Sequence, residues 1–209
     1  QEAMHTHEHI GFNASAQKYG HDVETLDRYT DKVIQTTRKV MAKLGKPVGI
    51  SQEMVDLTAT TALEHFTATI ASQLLTNSHI QELMTDETMK TMWLWHAIEE
   101  NEHKAVAYDV FEGVFGQGLK AYALRTSSLV IAMATLFVVQ SYFFVRLLKQ
   151  DQQFNLESLK AIYTYAYSPS KGVITGMAKE MLMYFKPGFH PNDHHTDQLL
   201  ATWKAKLGL

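Results

Sequence analysis

The 209 residues are 45% hydrophobic and 20% charged, a composition that supports a buried apolar core and excludes disorder for most of the chain. Nineteen Lys plus Arg against 22 Asp plus Glu leave a net charge of −3, so no broad positive field draws a nucleic acid partner. With no cysteine, disulfides, iron–sulfur clusters and thiolate ligands are excluded; any metal must be held by nitrogen and oxygen, and 11 histidines are on hand.

Strand signals are scarce and apolar residues recur at three- and four-residue spacing, which predicts an all-α fold. In chain order the helices are expected at 1–19, 22–44, 52–76, 86–115, 119–149, 156–167, 171–185 and 194–207. The stops are Gly20, the turn Gly45-Lys46-Pro47-Val48-Gly49, Gly116-Gln117-Gly118, Ser168-Pro169 and Lys186-Pro187-Gly188. Ser51, Thr85 and Asn155 carry the short oxygen-bearing side chains expected at helix N-caps. We expect one all-α domain over 1–209, with metal-binding bundle helices in 1–116 and hydrophobic and C-terminal helices in 117–209 completing the core. The opening at Gln1, without methionine or cap, reads as an N-terminally truncated chain.

The first helix carries Glu2 and His5, which three-residue spacing puts on one face. Further on, Glu64 is an isolated carboxylate among Thr60, Thr61, Thr67, Ala68 and Ala71, whose small side chains leave space beside it. The segment from Trp93 to His103 repeats the first arrangement in Glu100 and His103 and adds His96 one turn earlier. Relative to His96, Glu100 falls at about +40° and His103 at about −20°, a narrow stripe flanked by Trp93, Ala97, Val106 and Ala107. Carboxylates and imidazoles facing apolar groups are costly unless paired or coordinated.

In ferritin-like dimetal proteins two helices each give a Glu and two others a Glu-x-x-His, all pointing inward. In chain order this sequence supplies Glu2/His5, Glu64, and Glu100/His103, and a preceding Glu is expected upstream of residue 1. The candidate metal ligands are therefore Glu2, His5, Glu64, His96, Glu100 and His103, with His9 and Glu99 as candidates to support them from behind. His7, pointing away from Glu2, reads as solvent-facing, and His65, His21 and His79 read as structural. His190, His194 and His195 with Asp193 form a second polar cluster, read as a charged or metal-binding surface turn. Asp109 reads as a salt-bridge or capping residue.

On the segments QEAMHTHEHIGFN, TALEHFTA, LWHAIEENEHKAVAYDVF and YFKPGFHPND, the chain resembles the family of predicted metal-dependent hydrolases, a ferritin-like group. That resemblance covers essentially the whole chain and implies a ferritin-like helical bundle, a further Glu-bearing motif before the first segment, and hydrolytic chemistry. The His-x-x-x-Glu-x-x-His order at His96, Glu100 and His103 also resembles the p-aminobenzoate N-oxygenase group, which implies His96 as an additional nitrogen ligand and dioxygen chemistry.

The ligand set suits two divalent metal ions about 3.5–4 Å apart, iron first and manganese or zinc next. The aromatic and methionine content after residue 128 points to a hydrophobic small-molecule substrate. A homodimer is a further expectation, and a non-catalytic metal-binding protein is a third functional class. Residues 127–145 carry no charge and lie between Arg125 and Arg146. They read first as a core helix buried on every side and second as a membrane contact, so the expected location is cytoplasmic or peripheral to the inner membrane.

Overall fold

The computed structural model describes residues 2–169 and 172–209, with side chains from residue 6 onward. The fold is all-α: among the described residues there is no strand. The helices are α1 (Glu2–Lys18), α2 (Val23–Gly45), α3 (Gln52–Thr76), α4 (Ser78–Leu83), α5 (Glu87–Glu102), α6 (Val106–Phe115), α7 (Leu119–Gln150), α8 (Leu156–Tyr167), α9 (Val173–Met183) and α10 (Asp197–Leu207). Short 3-10 turns span Lys46–Val48 and Pro191–Asp193.

Local chemistry sets these boundaries. Ser51 Oγ accepts from Met54 N at 3.3 Å and Asn155 Oδ1 from Ser158 N at 2.9 Å, so both expected caps form. The cap of α5 is Asp86 rather than Thr85, because its carboxylate accepts from Met89 N at 2.9 Å. Asn77 interrupts the chain after α3, its side chain accepting from His79 N, and thereby starts the short α4 that periodicity alone misses.

The helix expected over 86–115 is two helices. The break falls at residues 103–105 without a glycine or proline: Lys104 Nζ is drawn into buried hydrogen bonds with His194 O at 2.5 Å and Thr196 Oγ1 at 2.7 Å. They hold the break against the segment 194–196. The expected start of the last helix at 194 also moves to Asp197, because His194 and Thr196 serve Lys104.

The chain divides into two compact units. The first comprises residues 1–56 and 130–159. Within it Arg146 pairs with Asp22 at 3.1 Å, Tyr29 stacks on Tyr142 at 3.8 Å, and Arg38 grips Asp56 through two bonds of 2.8 and 2.6 Å.

The second unit comprises residues 57–129 and 160–209 and carries the deeper core. Ala71, Leu75, Leu94, Ala97, Ile98 and Leu200 form one cluster, which packs α3, α5 and α10 together. Trp203 Nε1 donates to Leu75 O at 2.8 Å and pins α10 to α3. Ile80, Val173 and Met177 form another cluster joining α4 and α9.

The expectation that 127–145 is buried on every side is overturned. Only Leu129 and Val139 in that stretch are buried, and Phe137 is 69% exposed. The 18-residue apolar window of α7 is 11% buried, although its length and hydropathy are those of a membrane span.

Candidate metal centre

Every described side chain of the site belongs to the second unit. Glu64 sits mid-way along α3, where Thr61 Oγ1 bonds Leu57 O at 2.8 Å and Ala107 O at 3.2 Å and ties α3 to α6. Glu100 lies in the last turn of α5, and His103 is that helix's C-cap, its backbone N–H still bonded to Glu99 O. One ligand atom each from Glu64, Glu100 and His103 lie within 4.8 Å of one another. His103 Nδ1 is 3.4 Å from Glu64 Oε2, and His96 Nε2 is 3.3 Å from Glu100 Oε1.

The four side chains are mostly covered, with 22% of Glu64, 10% of Glu100, 12% of His103 and 18% of His96 exposed. Trp93 meets the His96 ring edge-on at 5.6 Å and Trp95 lies at 6.5 Å, so the imidazole is walled by indoles. Glu64 Oε2 is buried and accepts no hydrogen bond. The two carboxylates and one imidazole of Glu64, Glu100 and His103 converge as a donor set suited to a divalent ion with nitrogen and oxygen ligands, and His96 lies against Glu100. A buried carboxylate oxygen that has the His103 imidazole beside it but makes no directed hydrogen bond is one that such an ion would satisfy.

The structure thus brings together Glu64, His96, Glu100 and His103 of the sequence-predicted residues. Glu2 and His5 lie outside the described side chains. His9 is exposed on α1, and Glu99 is half-buried on α5. Val106, expected beside the ligand stripe, is 61% exposed and lies beyond the break at residues 103–105, where the spacing of α5 no longer applies.

Of the C-terminal histidines, His190 takes part in a charged turn, one of the two forms expected for this cluster. His190 Nε2 pairs with Asp109 Oδ1 at 2.9 Å, while its Nδ1 accepts from Asn192 N and caps the turn Pro191–Asp193. Asp109 accordingly acts as the expected salt-bridge residue. His194 is half-buried, and its Nε2 is fully covered.

His65, passed over as simply structural, anchors a buried polar cluster. It is 2% exposed, stacks on Tyr184 at 4.5 Å, and has Phe189 and His194 at 5.2 and 5.8 Å. Burial, then the neighbouring His194, pushes its pKa down to about 3. Burial likewise lowers the pKa values of His194 and Lys104 and raises that of Glu180. Arg125 is 4% exposed, donates to Lys186 O at 2.8 Å and lies 5.0 Å from the Tyr184 ring. Sequence alone offered one signal for this cluster: His65, Asn101 and Lys104 each follow a candidate ligand and so point about 100° away from it on a helix, or just beyond one.

No curated protein and no solved structure matches the chain. A family model described as predicted metal-dependent hydrolase matches residues 1–195, and the chain belongs to that family.

Proposed function

We propose that this member of the predicted metal-dependent hydrolases uses Glu64, His96, Glu100 and His103 as ligands of a catalytic metal centre. The observation that carries the reading is the convergence of Glu64, Glu100 and His103 within 4.8 Å from two helices. A metal held there would polarise a carbonyl or phosphoryl oxygen and ease deprotonation of water near neutral pH. The glutamates neutralise the ion's charge, and the indoles of Trp93 and Trp95 limit water around His96.

Our reading of the full centre is dinuclear and iron-based, with Glu2 and His5 completing it and manganese or zinc as alternative occupants. A ferritin-like bundle is the architecture that such a ligand order uses. The substrate class is a hydrophobic small molecule with a hydrolysable ester, amide or phosphoester bond. An O2-activating oxygenase is the second reading, favoured by His96 lying 3.3 Å from Glu100.

Metal analysis of the purified chain, followed by ester and phosphoester turnover with and without oxygen, tests the assignment. Two metals per chain and oxygen-independent hydrolysis are expected. Oxygen-dependent turnover selects the oxygenase. Full metal content retained after both Glu64→Ala and His103→Ala refutes the site itself.

The exposed apolar length of α7 supports a peripheral membrane location. Partition of the purified chain between buffer and anionic vesicles tests it, and a chain found wholly in the buffer phase refutes it.

A further inference from the structure

The residues that follow Glu64, Glu100 and His103 in the sequence line a small cavity of their own. His65, Asn101 and Lys104 meet Ala68, Thr69 and Ser72 of α3, Glu180 of α9, and Pro191 and His194 there. None of the four proposed metal ligands contributes to its wall. The space admits about one water molecule.

Most polar groups of the wall are accounted for within the protein. Ser72 Oγ donates to Asn101 Oδ1 at 2.9 Å, and Asn101 Nδ2 to Ala97 O at 2.9 Å. Thr69 Oγ1 donates to His65 O at 2.7 Å, and Lys104 Nζ to His194 O and Thr196 Oγ1. Two ring nitrogens are left over: His65 Nε2 and His194 Nε2 are both buried without a hydrogen-bond partner, on rings 5.8 Å apart.

The chemistry of His65 narrows the occupant. Its ring hydrogen-bonds the backbone carbonyl of Glu180, and since Nε2 has no partner, Nδ1 carries the proton for that bond. In a neutral imidazole Nε2 is then a lone pair that needs a donor. An anion offers no donor. The wall holds one ammonium, Lys104, and one carboxylate, Glu180, whose charges offset each other, so the space carries no net charge to hold an ion. A neutral molecule the size of the space that can both donate and accept is water.

We propose that this cavity is the site of one ordered water molecule, donating to His65 Nε2 and bridging to His194 Nε2. The bridge joins α3 to the segment 189–196, which Lys104, Asp109 and Tyr108 also hold. His65 and Lys104 are positioning residues: each fixes a backbone whose preceding residue, Glu64 or His103, belongs to the metal centre.

The test is a crystal structure of the metal-free chain, paired with NMR cross-relaxation between long-lived water and the His65 ring protons. Expected are one water within about 3.2 Å of both Nε2 atoms and a matching water signal to the His194 ring protons that is lost in His65→Phe, which keeps the stack on Tyr184. A dry cavity, a metal ion at bonding distance, or Nε2 atoms paired directly with protein groups each overturns the proposal. Neither measurement needs metal, so the outcome is independent of whether Glu64, Glu100 and His103 bind one.

Discussion

Glu64→Gln separates a metal-binding carboxylate from an ordinary surface acid. The variant keeps the shape of the side chain and removes one negative charge. Ligand atoms of Glu64 and Glu100 lie within 4.8 Å, so two ionised carboxylates repel by about 3.5 kcal/mol at an effective dielectric of about 20. Partial exposure of Glu64 reduces this to about 2 kcal/mol. At pH 8, where an ordinary imidazole is neutral, the metal-free variant is therefore expected to melt about 4–8 °C above the parent. Metal closes the gap. At 100 times Kd a bound ion adds about 2.7 kcal/mol, or about 5–10 °C, to the parent. A four-donor site worth about 10–16 kcal/mol loses about 3 kcal/mol with one donor, so the variant binds about 150-fold more weakly and gains under about 1 °C at the same metal concentration. Scanning calorimetry with and without Fe(II), Mn(II) or Zn(II) reads both effects, with Glu87→Gln at the exposed start of α5 as the control. A variant that melts below the parent without metal, yet keeps the full metal increment, refutes a shared site for Glu64 and Glu100.

Lys104→Met removes two buried hydrogen bonds to the segment 194–196 and is expected to cost about 2–3 kcal/mol, measured by urea unfolding, with faster amide exchange across 194–196. Unchanged exchange there would show that Lys104 does not hold the segment. Burial keeps the folded-state pKa of His65 near 3 against an ordinary 6.5, so the unfolded chain binds the proton first as pH falls. Stability is then intact above pH 6.5 and declines below it, by about 2 kcal/mol at pH 5 from His65, with His194 acting in the same direction. His65→Phe should flatten the urea midpoint between pH 6.5 and 5, and an unaltered slope counts against a neutral buried ring. Trp203→Phe deletes the bond to Leu75 O and is expected to cost about 1 kcal/mol, with α10 fraying first in hydrogen exchange; no change in either would mean that α10 is held by packing alone.

What the sequence made legible follows from how local each signal is. The ends of α3 at Gln52 and Thr76 match expectation because the Ser51 cap is written in adjacent residues. The grouping of His96, Glu100 and His103 was readable because helical spacing decides it, even though the helix ends at Glu102 and leaves His103 as its cap. The meeting of Glu64 with Glu100 and His103 was reached through the order of ligands along the chain, not through any local rule.

The failures share a cause in long-range bonds. The break between α5 and α6 falls where no glycine or proline announces a stop, and there Lys104 reaches His194 and Thr196, about ninety residues away. His65 read as structural because it lacks partners at ligand spacing, and its neighbours Tyr184, Phe189 and His194 all come from the far end of the chain. The apolar run 127–145 shows the converse. Its composition suits a helix buried on every side or one against lipid, and only the arrangement of its surroundings tells them apart; Phe137 and Val138 are left facing outward. One-turn chemistry therefore fixes which side chains share a face. Which face becomes a candidate metal site and which a buried polar cavity is decided on α3 by residues as close as Glu64 and His65, through the segments that fold over each.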